Sequence, residues 1–454
     1  MLIQELKDMI FQKGREEGFG DMELHFESNK KFSCMVFDGE VDDYSIAVEG
    51  GIGFRGIYND KMGYSYTEKV DETSVNTLVY GAKTNAQMID SSDLEEIFEG
   101  STIYERIDFY SDDLGRVAPE DKTELLLKLE KEILSLDPRV KSVNYCLLED
   151  YEAETMLFNT KGLAKGEKSN NVMIYVSVVV GEKEDIKSAH NLTITRDFKK
   201  LNYEEIAKEV VYEALSYLGA TSIESGSYQV LLRNTAAASI LQAFDGVFSA
   251  ENVHKGRSLL KNKLGEAIAS PLVRIVDNPH LRDGIRSSSF DSEGVATKKN
   301  IIVEDGLLKS LLHNLKTAKK DGVSPTGNGY KSSYKGVIGI APTNFYIKAG
   351  ENSYEDMIAS MEEGIIITDL QGLHSGTNPV SGDFSLAADG YYVKDGAIKR
   401  PVNQITVAGN FYELLKDIIA IGDDLKFAFP SNSNTGSPSL KIARLAIAGE
   451  NKNK

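Results

Sequence analysis

Cysteine is nearly absent: Cys34 and Cys146 are the only two in 454 residues. That is too few for a disulfide framework or a cysteine-rich zinc site, and it fits a reducing compartment. Long apolar runs are missing as well. No stretch of about 18 apolar residues occurs, so no membrane-spanning helix is expected. The opening segment MLIQELKDMIFQKGREEGFG is broken by acids and lacks the apolar centre of a secretory signal, which leads to the expectation of a cytoplasmic protein. Basic runs interleaved with aromatics are lacking too. With 51 basic residues against 69 acidic ones the surface repels a phosphate backbone, and direct nucleic-acid binding has no support. The six histidines, His25, His190, His254, His280, His313 and His374, include no two within a helical turn, so the close pair that commonly begins a zinc site is absent. A serine nucleophile in a Gly-x-Ser-x-Gly elbow is not offered either.

What remains is 41% hydrophobic and 26% charged, the balance of a globular protein, and long enough for two domains. Charge is unevenly shared along the chain. Residues 1–227 carry 25 basic and 45 acidic side chains, a net −20, and the remainder carries 26 and 24, a net +2. The small polar stretch from Gly219 to Ser227 coincides with this change and places a boundary that divides the chain into 1–222 and 223–454. In the first unit an amphipathic helix is expected over 2–18, then antiparallel strands from Met22, helices over 68–88 and 119–136, strands over 140–148, 152–159 and 171–182, and a helix over 203–218. The apolar run VMIYVSVVV suits a buried strand. In the second unit a strand YQVLLRN and a helix over 236–248 precede many short strands. Asp305-Gly306, Asp389-Gly390 and Asp395-Gly396 are read as turns, and SNSNTGS near Ser431 as a loop. The fold class is α+β: an N-terminal mixed helix and sheet domain, then a mainly antiparallel β domain with helices.

Several polar groups could carry chemistry. Gly51-Ile-Gly53-Phe-Arg-Gly56 matches a dinucleotide fingerprint in letters, but strand rather than helix follows it, so the glycines read as part of a twisted strand. The run from Gly322 to Ser332 lacks the Gly-Lys pair of a phosphate loop and reads as a surface or cavity-lining loop. Asp291 and Glu293, two apart before Gly294, could form an acid/base pair or serve a turn. The segment from Gly372 to Ser385, with His374, Ser375, Asn378 and Asp383 among its glycines, suits contact with a polypeptide backbone or a structured turn.

These runs, together with Asp277-Asn-Pro-His-Leu-Arg-Asp-Gly284, Ser289-Phe-Asp-Ser-Glu-Gly-Val-Ala-Thr297, Val380-Ser-Gly-Asp-Phe-Ser385 and Pro401-Val-Asn-Gln-Ile-Thr-Val-Ala-Gly-Asn410, strongly resemble the TldD/PmbA family, in its PmbA or TldE branch. The resemblance implies paired subunits that form a cytoplasmic metalloprotease acting on unfolded or extended peptides. Family members also carry the label modulator of DNA gyrase, which does not require contact with DNA. In the TldD branch a His-Glu-x-x-x-His helix and a cysteine near the C-terminus hold the metal. Counted without gaps, that motif falls here on Leu241, Gln242 and Gly246, which supply neither lone pairs for zinc nor a general base.

The expectation is therefore a PmbA/TldE-like subunit with no catalytic, metal or cofactor residues of its own, zinc residing in a TldD-like partner. Asp291, Glu293, His374, Ser375, Asn378 and Asp383 are the candidate cavity or contact residues that the resemblance carries over. A homodimer is expected in isolation, and no membrane partner. Two other readings of the same residues are a stand-alone binding or adaptor protein of the gyrase-modulator kind, and a hydrolase with a non-zinc site built on Asp291, Glu293 and His374.

Overall fold

The computed structural model describes residues 2–89 and 95–450, so the last four residues of the expected second unit lie outside the described part. One six-stranded antiparallel sheet organises the first 195 residues. In chain order its strands are β1 (Met22–Phe37), β2 (Glu40–Tyr58), β3 (Lys61–Thr67), β4 (Val140–Asn159), β5 (Ala164–Glu182) and β6 (Asp185–Thr195), in spatial order β3-β2-β1-β4-β5-β6. Four of these run 16 to 20 residues, long for strands of a globular protein. The two strands expected over 140–148 and 152–159 are in fact one, because Glu149, Asp150 and Tyr151 stay in register with Met173, Val172 and Asn171 on β5.

Alternation along these strands separates two faces. Leu24, Phe32, Cys34 and Val36 of β1 and Val172, Ile174, Val176 and Val178 of β5 point to the helical side. There the helices Ile3–Glu16 and Ser74–Met88 bury Leu6, Ile10, Leu78 and Val79 at one end. The helices Pro119–Leu136 and Tyr203–Ser216 bury Leu126, Leu129, Ile133 and Val210 at the other. The helix expected from residue 68 begins at Ser74 instead, since the Asp71 carboxylate accepts the Thr73 N–H (2.8 Å) and holds the preceding residues in a turn. The odd-numbered positions of β1 and β5 form the second face, where the VMIYVSVVV run is less completely buried: Met173 is covered. Tyr175 and Ser177 are half-exposed there.

That second face meets the C-terminal half. Here Gly226–Leu232, Glu363–Gln371, Asp383–Lys394, Ala397–Asn410 and Leu440–Ala448 close into a five-stranded ring, completed by pairing of 406–408 with 446–448. A further six-stranded sheet runs through Ile275–Asp277, Asn300–Glu304, Asn344–Ile347 and Asn434–Ser437. Two pairings are parallel, 229–232 with 364–367 and 344–346 with 434–436, and the rest are antiparallel. The SNSNTGS stretch is thus half strand: Asn434–Ser437 is buried and paired, not looped. Asp305-Gly306 and Asp395-Gly396 do turn the chain with positive φ at both residues. Asp389-Gly390 does not; it lies inside the strand Asp383–Lys394 at a β-bulge, and a Cβ on Gly390 would meet Ile366 O at 1.8 Å. Among the described residues no helix is long and apolar enough to cross a membrane.

Candidate functional site

The ring strand Gly226–Leu232 passes directly into the helix Asn234–Phe244, which carries the positions where metal ligands were sought. Alanines at 236–238 make this helix and keep it thin enough to pack closely. Leu241 is 2% exposed within the main core. The Gln242 side-chain amide donates to the Phe429 carbonyl at 2.9 Å. Gly246 sits in the 3-10 turn that follows, its carbonyl accepting from the Asn252 amide at 2.8 Å. Zinc needs imidazole, thiolate or carboxylate donors, and here an aliphatic side chain, an amide engaged elsewhere and a bare glycine occupy the three places. The donor set does not fit the metal. Among the described residues no three of His, Cys, Asp and Glu are grouped so as to hold a metal ion, and Cys34 and Cys146 are buried beneath the first sheet. The carboxylate nearest the motif, Asp245, accepts from Ser433 Oγ at 2.5 Å, and burial pushes it up to about 6.

Beside the N-terminal half of the helix runs a groove of about 1140 Å³. The second face of β4 and β5 supplies its floor through Tyr145, Glu149 and Tyr175. The edge strand β6 borders it, and Asp369 and Asp389 from the ring stand in its opposite wall. Tyr175 packs edge-on against Phe429 with centroids 6.4 Å apart and lies 6.3 Å from Tyr145. Two of the groove's carboxylates are neutralised: Glu149 by Lys31 at 2.5 Å and Glu213 by Arg233 at 2.7 Å.

Asp291 and Glu293 lie elsewhere, where the other end of the same sheet face meets the C-terminal half. Both are buried. Asp291 Oδ1 accepts the N–H groups of Glu293 (2.9 Å) and Val295 (3.0 Å), and its Oδ2 accepts that of Gly329 (2.8 Å), while Gly294 takes φ +82°. Glu293 Oε2 accepts the Leu315 N–H at 2.8 Å. Burial raises both acids, and the charge of Asp291 raises Glu293 further. From the sheet, Arg55 binds Glu23 in a fork (2.7 and 3.1 Å), and Lys331 Nζ stands 4.0 Å from the same carboxylate. Burial pushes Lys331 down to about 8. Burial, with the charges of Lys331 and Arg55, also holds His25 well below its usual value, so it is neutral. The Gly51–Gly56 run is explained here: a Cβ on Gly53 would meet Tyr334 O at 2.2 Å, so glycine lets the Lys331–Tyr334 loop lie on the sheet. The loop expected to line a cavity does so, Asn328, Gly329 and Lys331 bordering one of about 230 Å³ with His25 and Asp291.

The remaining candidates are not brought to that cluster. His374 and Ser375 are exposed on the helical turn Leu373–Gly376, which packs against the helix Asn234–Phe244. Asn378 Oδ1 accepts the Val380 and Ser381 N–H groups, and Asp383 takes the Asn410 amide at 2.8 Å. None of the four shares a hydrogen bond or ion pair with Asp291 or Glu293 among the described residues. Sequence reasoning missed Tyr145, Tyr175, Asp369 and Asp389 as groove residues. The available signal was the aromatic and polar alternation opposite the apolar positions of β4 and β5; nothing local marks the two aspartates.

Three family models match the chain: PmbA/TldA metallopeptidase domain 1 over 23–86, the central domain over 112–218 and the C-terminal domain over 225–449. The chain is 27% identical to a Haemophilus influenzae metalloprotease PmbA homolog, across 90% of this chain and 88% of that one. A Thermotoga maritima structure, described as a candidate modulator of a DNA gyrase, superposes with a TM-score of 0.90 at 32% identity, covering 98% of this chain and 100% of the other. TldE from Thermococcus kodakarensis has the same fold, with a TM-score of 0.90 at 24% identity over 98% and 100% of the two chains.

Proposed function

The chain belongs to the PmbA/TldD metallopeptidase family, and from that premise we propose that it is the PmbA/TldE-like, non-catalytic subunit of a peptidase whose zinc is held by a TldD-like partner. The observation that carries this reading is the helix Asn234–Phe244 and the turn after it, where Leu241, Gln242 and Gly246 stand in packed or hydrogen-bonded roles at the three metal-motif places. Without those donors the helix offers no ligands for a zinc ion that would polarise water for peptide hydrolysis.

Its part is then to help enclose and hold an unfolded or extended peptide. The groove beside the helix supports that role, being about 1140 Å³ and bordered by the edge strand β6, along which an extended segment can pair. Asp291 and Glu293 brace the C-terminal half where it meets the first sheet: both oxygens of Asp291 and one of Glu293 accept backbone N–H groups of that half. In the absence of a partner the subunit pairs with itself, since two subunits of one fold share an interface. The two buried, unpaired cysteines agree with a cytoplasmic setting.

The test is cleavage of an unstructured peptide by the purified chain, alone and mixed with the HExxxH-bearing homologue of the same organism, with and without chelator. Activity of the mixture that chelation abolishes, with none from this chain alone, is the expected result. Chelator-sensitive cleavage by the isolated chain overturns the subunit reading. Failure of the two chains to associate favours the stand-alone adaptor.

A further inference from the structure

The groove holds more than a shape. Among the described residues three of its carboxylates, Glu209, Asp369 and Asp389, have no cation within 4 Å. Glu209 takes the Asn191 amide at 3.0 Å. Asp369 and Asp389 share a single amide, Gln371 Nε2, at 3.4 and 3.2 Å. Asp389 is raised by burial first and by the charge of Asp369, against a smaller opposing pull from Lys187, which is itself paired with Asp185 at 2.5 Å. Against these, Lys426 is the one lining Lys or Arg with no carboxylate partner. Next to the acids lies a partly exposed aromatic platform of Tyr145, Tyr175 and Phe429. It is close enough that Asp369 acts on the Tyr175 hydroxyl.

The backbone adds an independent observation. β6 is the last strand of its sheet and pairs only with β5. Counted out from the two-residue turn between Glu182 and Asp185, the N–H and C=O groups of Lys187, Ala189, Asn191 and Thr193 face β5. Those of Ser188, His190 and Leu192 face away from it, on the stretch that borders the groove. An extended chain laid along this edge gains main-chain hydrogen bonds whatever its sequence, and its side chains then meet the acids and the rings.

We propose that the groove selects extended polypeptide segments in which an arginine or lysine lies beside an aromatic residue, the cation seated between Asp369 and Asp389, the ring on Tyr175 and Phe429, and the backbone paired with Ser188–Leu192. This rests on the peptide-holding reading above and assigns that site its substrate class. Basic side chains suit the place on three grounds: attraction to the paired carboxylates, cation–π contact with the neighbouring rings, and a first half of net charge −20 that draws cationic chains in.

The experiment measures binding of fluorescently labelled, unstructured ten-residue peptides to the full chain by anisotropy. The set has one frame with Arg-Phe, Glu-Phe, Gln-Phe or Arg-Ser at its centre. The Arg-Phe peptide is expected to bind about tenfold tighter than Gln-Phe, with Glu-Phe weakest, and to lose that margin at high salt. The double variant Asp369→Asn/Asp389→Asn is expected to bind Arg-Phe no tighter than Gln-Phe, its thermal melting matching that of the natural chain to show that it is folded. Equal binding of all the Phe peptides by the natural chain overturns the charge selection and leaves the groove reading standing. Binding of none of the peptides overturns both.

Discussion

One face of the first sheet carries two sites of opposite character. At one end Glu23, Arg55, Lys331, Asp291 and Glu293 are sealed against the C-terminal half, and nearly every charged oxygen has its donor. At the other end Asp369 and Asp389 stand over the face, with Glu209 beyond the β6 edge, and all three have neutral hydrogen-bond partners only. Charge that is saturated and dry is costly to disturb and has nothing left to offer a ligand. Charge left unsatisfied beside water costs the fold little and remains available. The buried acids at the first end are thus built into the packing, while Asp369 and Asp389 at the other end keep neutral hydrogen-bond partners and line a groove.

The comparison breaks most easily at the joint. Arg55→Ala strands the Glu23 carboxylate in the interior, and denaturant unfolding is expected to show a loss of about 3–5 kcal/mol; a loss below about 1 kcal/mol would show that the cluster is not sealed. Next comes Asp245, beneath the helix. Its pKa is raised from 3.8 to about 6, so the folded chain holds a proton that the unfolded chain has released, and stability falls as pH rises through that window. Asp245→Asn should remove that slope, on the order of 2–3 kcal/mol, in unfolding measured at pH 4 and pH 7. At the groove the effects on the fold shrink. Ser188→Pro deletes an outward-facing N–H on an edge strand, so melting is expected to change by less than about 1 kcal/mol while affinity for an extended peptide drops severalfold. Smallest is Asp369→Asn, expected within about 0.5 kcal/mol of the natural chain or slightly more stable, as it relieves Asp389 of a like charge.

Much of the architecture was legible locally. The helix Pro119–Leu136 was anticipated to the residue by its leading proline and the stripe of Leu126, Leu129 and Ile133. The antiparallel strands after Met22 followed from alternation. Their true length did not, because the polar tract Glu149-Asp150-Tyr151 reads as a break and is held in register only by neighbours on both sides. Asp389-Gly390 failed for a related reason: the same dipeptide turns the chain at 395–396 with positive φ, yet at 389–390 it is needed where the chain crosses Ile366 too closely for a side chain. Asp291 and Glu293 were found as a pair, but their task, gathering N–H groups from the 293–295 turn and from Gly329 and Leu315, depends on segments distant in the chain.

The sequence by itself determined what this protein lacks and what its elements are: two cysteines, no paired histidines, Leu241, Gln242 and Gly246 where metal donors were sought, and strand and helix periods that yield an α+β fold. These are properties of single positions and of short repeats, which need no knowledge of distant residues. Only the tertiary structure decided which charges are spent and which are free. Glu23 and Asp369 are alike as carboxylates in strands. One became a fastening and the other the wall of a groove because burial and hydrogen-bond saturation are set by segments hundreds of residues apart in the chain and adjacent in space.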